Sequence, residues 1–395
     1  MKNYLLYSTL LSIFTEALFV RVGFDLKFIY FIVLINYFVI KIVNKKIVIP
    51  KIWLFVIVYL FISGLISIFL YNNTFGSVAF QVFGITFMSV YFYNFFLCYD
   101  FDVIEVFKKY CTICYLLSII GILMAIFNYL IIKDFTYRTS SLMREPAHFT
   151  GMLLPAFLYY LFNFKTYKLR SLTVMFAFLI SFSSVGYMVM LVGILMLSKR
   201  INFFVIAVSL FVSVLLGFIA YSNLSVVKLR VDDTFSLFGN LDISGVNLST
   251  YALASNFYVT ERVLESNFLF GHGLGSHAIS HAKFINDLTG VENYDEMFVN
   301  FNQEDANSLA LRTLSELGII GIIGIFFFMF KNYANQGNYY QISRALILYF
   351  IYKLLREGHY FSPEMYFFVF TYYFVKLKSV VKLGPQVKIA YTQEY

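Results

Sequence analysis

Residues 52–70 run Ile-Trp-Leu-Phe-Val-Ile-Val-Tyr-Leu through to Phe69 and Leu70 without one charged side chain, and the chain repeats such blocks along most of its length. A helix rises 1.5 Å per residue, so about 20 mostly apolar residues cross roughly 30 Å of hydrocarbon. The 395-residue chain is 60% hydrophobic and only 13% charged, with mean hydropathy +0.75. Soluble domains carry about 25% charged residues, so too little polar surface exists to dissolve a compact globule. With 21% aromatic residues the chain is not disordered either. The solvent it is built for is the bilayer.

Candidate spans lie near 4–20, 28–43, 52–70, 76–97, 110–132, 148–163, 171–182, 185–198, 202–220, 307–330, 344–356 and 362–377. The expected fold is therefore an all-α polytopic membrane protein of about twelve transmembrane helices. Residues 1–220 would hold the first nine spans, 221–305 a large outer loop, 306–377 the last three spans and 378–395 a tail. Between 171 and 198 two crossings share fewer than thirty residues. A hairpin of short helices broken at Ser181–Gly186 and a re-entrant pair both fit. Glu16 inside the first apolar run, with no small-residue cleavage site after it, argues against a cleavable signal peptide.

Charge sets the orientation. Residues 221–305 contain four basic side chains (Lys228, Arg230, Arg262, Lys283) against eleven acidic ones, a net of −7. With +8 overall, the remainder carries +15. That surplus falls in alternate loops: Lys41, Lys45, Lys46 and Lys51; Lys108 and Lys109; Lys165, Lys168 and Arg170; Lys199 and Arg200; Lys331 and Arg344; then Lys376, Lys378, Lys382 and Lys388. By the positive-inside rule both termini are expected in the cytoplasm. This placement excludes nucleic acid as the partner. Cys98, Cys111 and Cys114 cannot form a disulfide framework; Cys111-Thr-Ile-Cys114 begins an apolar segment and reads as packing.

The long segment 221–305 carries enough apolar side chains, among them Tyr251, Phe257, Tyr258, Val263 and Phe268, to pack on the membrane domain. Residues 250–268 are expected to form a helix with its apolar side down, the segment as a whole capping a cavity. Loops of this length are usually functional or disordered.

Charges beside spans are costly and mark wet cavities or partners. The first such place is Arg138–His148, Arg-Thr-Ser-Ser-Leu-Met-Arg-Glu-Pro-Ala-His. Pro146 suits the first turn of a helix, which sets Arg144 and Glu145 at a helix N-terminus favourable to anions. Arg138 and Arg144 there make a diphosphate cradle, since guanidinium groups grip phosphate oxygens bidentately; the alternative is that Arg144 and Glu145 merely pair. The second is Arg262 with Gly271-His-Gly-Leu-Gly-Ser-His277 and His281, where glycines permit close backbone approach, although a structural turn is the simpler reading. The histidine spacings of 272, 277 and 281 match no standard zinc motif, so no metal is expected.

The third is Glu304–Gly321. Asp305, Ser308, Arg312 and Glu316 share one helical stripe, with Arg312 either a ligand contact or neutralised by Glu316 four residues on. The fourth is Arg356-Glu-Gly-His359, an anion contact or a snorkelling arginine. The fifth is Glu16, with Ser8 and Ser12 at four-residue spacing, adequately explained as helix packing.

Asn307, Ser308, nine residues, Gly318, two residues and Gly321 resemble the motif of bacterial O-antigen polymerases and their relatives, the O-antigen ligases. Arg262, ten residues and Gly273 are similar to the polymerases' outer-loop pattern, and Arg138 through Glu145-Pro146 to the family's Arg…Glu-Pro entry to a helix. The resemblance implies an inner-membrane glycosyltransferase that moves a growing glycan from undecaprenyl diphosphate onto a lipid-linked repeat unit in the periplasm, for lipopolysaccharide or a related surface polysaccharide. It implies no nucleotide sugar, no metal and no cofactor. The partners it implies are lipid-linked donor and acceptor glycans, the bilayer and a chain-length regulator. Arg138, Arg144, Arg262, Arg312 and Arg356 would bind the donor diphosphate, with Gly273 and His277 in the loop beside the site. The family's motif histidine is Asn307 here, which takes no proton at neutral pH. Either a carboxylate (Glu145, Glu304, Asp305 or Glu316) serves as base, or positioning and leaving-group stabilisation suffice. A flippase for lipid-linked oligosaccharide and a ligase are the competing functions.

Overall fold

The structure is a computed structural model that describes residues 1–21, 25–98, 102–133, 137–197, 221–222, 228, 232, 243, 246–360 and 362–381. The span expected at 202–220 and the tail beyond 381 lie outside the described residues, as does most of 223–245. What is described is mostly helical: α1 (Lys2–Ser12), α2 (Phe28–Asn44), α3 (Lys51–Tyr71), α4 (Phe75–Leu97), α5 (Val103–Phe127), α6 (Pro146–Phe162), α7 (Phe164–Leu179), α8 (Ser184–Leu197), α9 (Leu248–Ser266), α10 (His277–Phe284), α11 (Leu309–Lys331), α12 (Gly337–Leu355) and α13 (Pro363–Val381). Among them α3, α4, α5 (extended by a π turn to Ile132) and α11 are long and apolar enough to cross a membrane. Their outward faces are apolar too: Phe69 and Phe330 are each 78% exposed, a surface that water would not tolerate and lipid would.

The first apolar run does not form one helix over 4–20. Helix α1 stops at Ser12, because the Ser12 and Thr15 hydroxyls donate to the carbonyls of Thr9 (2.8 Å) and Ser12 (2.7 Å) and the chain turns. A two-stranded antiparallel hairpin follows, β1 (Phe19–Arg21) with β2 (Asp25–Lys27), pairing Phe19 with Lys27. This is a departure from the all-helical expectation, and it places Lys27 beside Glu16.

Helix α6 is the centre. Pro146 opens it, as expected, and Phe149–Tyr160 are buried without interruption. Helices α5, α7, α8 and α12 pack around it, and a Cβ on Gly151 would stand 2.6 Å from the Tyr352 ring of α12. A helix apolar on every side belongs inside a bundle. The segment 171–198, expected as either a hairpin of short helices or a re-entrant pair, is helical in α7, which begins earlier than expected at Phe164, and in α8, with a break at 180–183.

Helix α11 is broken. Gly318 has φ 63 and ψ −161, a conformation open to glycine alone. The break frees backbone groups, and the segment 268–273 takes them. His272 and Gly273 N–H groups donate to the Ser315 and Glu316 carbonyls (2.8 and 2.9 Å), while Ile319 and Ile320 donate to Phe268 and Leu269 (3.1 and 3.4 Å). Irregular backbone inside a bundle survives only when its polar groups are paired in this way. The Gly-Leu-Gly turn also lies on the small-residue face of α3, where the Leu274 N–H donates to the Ser63 hydroxyl (3.1 Å) and the Ser67 hydroxyl donates to the Leu274 carbonyl (2.9 Å). Helix α9, expected at 250–268, spans 248–266 and rests on α11. With Ile243, Val246, Ile285, Leu288 and Val291 it closes a small core of its own around Tyr251.

Candidate functional site

Four pieces of chain meet where α6 begins: the turn and hairpin after α1, the loop 302–308, the segment Arg356–His359 after α12, and the start of α13. Their meeting is tight. A Cβ on Gly358 would stand 1.5 Å from the Asp305 carbonyl oxygen, so only glycine lets the two loops cross. Asn302, Ala306, Asn307 and Glu357 all have positive φ, a conformation non-glycine residues adopt only where surrounding contacts enforce it.

Asn307 pins the crossing. Its side-chain oxygen accepts from the Asn302 amide (3.1 Å) and from the Arg356 guanidinium. Its carbonyl accepts from the Glu357 N–H (3.1 Å), and its own N–H donates to Asp305 Oδ1 (3.0 Å). Ser308 caps α11 by accepting from the Leu311 N–H and donates to the Leu354 carbonyl (2.6 Å). Asp305 also stands 3.3 Å from His359 Nε2.

Around this pin runs a chain of charges. Arg356 lies 3.9 Å from Glu145 Oε2, and that same oxygen lies 4.0 Å from His148 Nε2. His148 Nε2 is 3.6 Å from Glu357, and its Nδ1 is bonded to Glu16 at 2.6 Å. Glu16 takes Lys27 at 2.9 Å. Glu357 pairs with Lys353, which is 3.8 Å from Glu364. Burial opposes ionisation of Glu357, but His148 and Lys353 outweigh it and hold its carboxyl below the usual range. Most of these groups are buried. Glu145, with its side chain 49% exposed, is the carboxylate of the chain that reaches the surface.

The expected site residues separate on this geometry. Glu145, Asp305, Asn307 and Arg356 share the network just described. Arg312 and Glu316 form a buried pair at 3.1 Å. Arg312 also donates to the Gly358 carbonyl (3.2 Å) and Gln81 (3.1 Å), and its guanidinium lies 4.6 Å from the centre of the Tyr360 ring. That pair locks α11 to α4 and to the Arg356–His359 segment. Glu304 is exposed on the loop.

Arg138, Arg144 and Arg262 are anchored on three different elements. Arg138 donates to the Ser181 and Phe182 carbonyls (3.3 and 2.7 Å) in the turn between α7 and α8. Arg144 lies 5.3 Å from the centre of the Phe19 ring of the hairpin. Arg262 pairs with Glu265 (2.8 Å) and lies over Tyr258 on its own helix. Gly273 is a packing position: a Cβ there would meet the Ser63 carbonyl at 2.5 Å. His277 is buried between Asn256 (2.8 Å) and Ser315 (2.7 Å), and burial drives its pKa well below the ordinary value, so it bridges helices as a neutral ring. His272 likewise gives both ring nitrogens to Ser266 and Ser280.

Sequence reasoning passed over Lys27, Lys353 and Glu364, gave His148 and Glu357 no role of their own within the segments it singled out, and gave Glu16 only a packing role. The available signal was the cost of their positions: Lys353 and Glu364 sit within apolar blocks, four and seven residues from Glu357. No protein-family model matches the chain, and no curated protein matches it.

Proposed function

We propose that the chain is an inner-membrane glycosyltransferase that polymerises undecaprenyl-diphosphate-linked repeat units on the periplasmic side, with about twelve spans and both termini cytoplasmic. The observation that carries this reading is one carboxylate oxygen, Glu145 Oε2, placed 3.9 Å from Arg356 and 4.0 Å from His148 at the mouth of a buried charge network. A glycosyl transfer is assisted by a base for the acceptor hydroxyl and by a cation for the departing diphosphate.

In the reaction the acceptor oxygen forms a bond to the donor's anomeric carbon while the bond from that carbon to the diphosphate oxygen breaks. The hydroxyl proton passes to Glu145, and the electron pair leaves on the diphosphate, where Arg356 and the exposed Arg144 supply positive charge. His148 positions Glu145, itself held by Glu16 and Glu357. Asn307 cannot take up a proton and serves by fixing Arg356. The base left unassigned by an asparagine at 307 is thereby given to Glu145.

Expression of Glu145→Gln, Arg356→Ala and Arg356→Lys in a deletion strain tests this. The first two should lower chain extension on the order of 100-fold, leaving single repeat units on the surface, with membrane levels unchanged. Normal long chains from Glu145→Gln would remove it as base, and normal chains from Arg356→Ala would remove the arginine.

A second reading, a flippase for the same lipid-linked substrate, is favoured by the broken helix α11 and the charges beside the spans, both usual in transporters. The deletion strain separates the two: loss of a polymerase leaves single units at the surface, loss of a flippase leaves none. A ligase would instead leave finished chains on the carrier.

A further inference from the structure

The far end of α6 carries a second polar site. There a cavity of about 180 Å³ opens between the last turns of α6 and the first turns of α5 and α7. At roughly 30 Å³ per liquid water it exceeds a solvent molecule several-fold, room for a phosphate group and the start of its ester.

The charges lining it do not cancel. Glu105 is matched by Lys109, 3.4 Å away, and Lys109 also donates to the Tyr7 hydroxyl (3.2 Å). Lys108 and Arg170 also line the cavity, and no carboxylate pairs with either among the described residues. Arg170 is nonetheless held in place, its guanidinium 5.5 Å from the centre of the Tyr167 ring and 5.6 Å from that of Tyr115. Stacking of this kind occupies the faces of the plane and leaves its N–H edge for a ligand. The wall contributes one more group. Tyr160 is 1% exposed, and its hydroxyl stands beside Arg170 without a well-aligned hydrogen bond. A charged acceptor oxygen in the cavity would give that buried hydroxyl a well-aligned partner.

We propose that this cavity binds a phosphate ester, gripped through two oxygens by Arg170, balanced by Lys108 and hydrogen-bonded by Tyr160. The chemistry is shared by the headgroup of an anionic phospholipid and by free phosphate. Basic pockets between helices at the membrane surface commonly take such headgroups. The site is independent of the glycosyltransferase reading, since none of its residues belongs to the network at the start of α6.

The test uses the full chain in neutral detergent, with thermal midpoints recorded by intrinsic fluorescence. The additions are phosphatidylglycerol, inorganic phosphate against chloride at equal ionic strength, and diacylglycerol as a lipid without phosphate. The wild type should gain several degrees from phosphatidylglycerol and nothing from diacylglycerol. Arg170→Gln and Lys108→Gln should lose that gain while keeping their midpoints in its absence. Tyr160→Phe, which removes only the hydroxyl, should reduce the gain if the arginine variant does not fold. A gain with phosphatidylglycerol alone identifies a lipid headgroup; a gain with inorganic phosphate as well identifies a site that admits free phosphate. The proposal is overturned if neither addition shifts the wild type, or if Arg170→Gln or Tyr160→Phe responds as strongly as the wild type.

Discussion

Arg312 and Glu316 show what a buried charge does in this molecule. The arginine is fully engaged by Glu316, Gln81, the Gly358 carbonyl and the Tyr360 ring, while Glu316 Oε2 has no hydrogen bond. Removing one partner strands the other without solvent, whereas removing both deletes the problem. Arg312→Met alone and Glu316→Met alone should each lower stability by about 3–5 kcal/mol, and the double variant should recover most of it. Thermal unfolding of the purified variants checks this; additive losses in the double variant would show that the pair is not a closed unit. Of the expected stripe Asp305, Ser308, Arg312 and Glu316, only Arg312 and Glu316 lie within the helix, because Ser308 is its N-cap and Asp305 sits in the turn before it; periodicity suggests a shared face and not what lies opposite it. The residues opposite are Gln81, 231 positions away, and Gly358.

At the scale of elements, the Asn-Ser…Gly-x-x-Gly pattern acquires a physical meaning. Gly318 breaks α11, and the break receives the backbone of 268–273. A Cβ at Gly318 would stand 2.3 Å from the Leu269 carbonyl oxygen. Gly318→Ala should therefore destabilise by on the order of 2–4 kcal/mol and free 268–273 to proteolysis. Six residues along the same helix, Gly324 has nothing within 4 Å of the equivalent Cβ position. Gly324→Ala should be neutral or stabilising by up to about 1 kcal/mol. Equal effects at the two glycines, read by limited proteolysis and melting, would contradict the docking of 268–273 into a helix break. Helix α9 was legible to within two residues at either end, because its apolar stripe is amphipathic. The early end of α1 was not: apolar side chains continue past Ser12, and what stops the helix is hydroxyl groups taking its last carbonyls.

For the whole molecule, acid is the informative stress. His272 and His281 are buried, and burial lowers the pKa of each to about 4. An unfolded histidine binds its proton near pH 6.5, so the unfolded state takes up protons first as pH falls. The stability these rings contribute is complete above about pH 6.5 and is lost progressively as pH falls toward 4. Each ring costs on the order of 1 kcal/mol for every tenfold rise in proton concentration across that interval. His281 has no hydrogen bond at either ring nitrogen, so His281→Leu should fold and should flatten the acid limb of a plot of melting temperature against pH. An unchanged acid limb would mean that other groups govern it.

The membrane character, the apolar blocks and their approximate ends follow from the sequence alone, because hydrophobic length and the cost of desolvating charge are local and additive along a chain. Glu145, Asp305, Asn307 and Arg356 could be singled out in the same way, each as a polar residue in an expensive place. Which of them stand together is a different kind of fact. Glu16 meets His148 across 132 positions and Arg356 meets Asn307 across 49, and those pairings exist only because α6 is wrapped on all sides and Gly358 lets two loops cross. Charge neutralisation acts through a few ångströms of space, so partners remote in the chain became known only once the chain was folded.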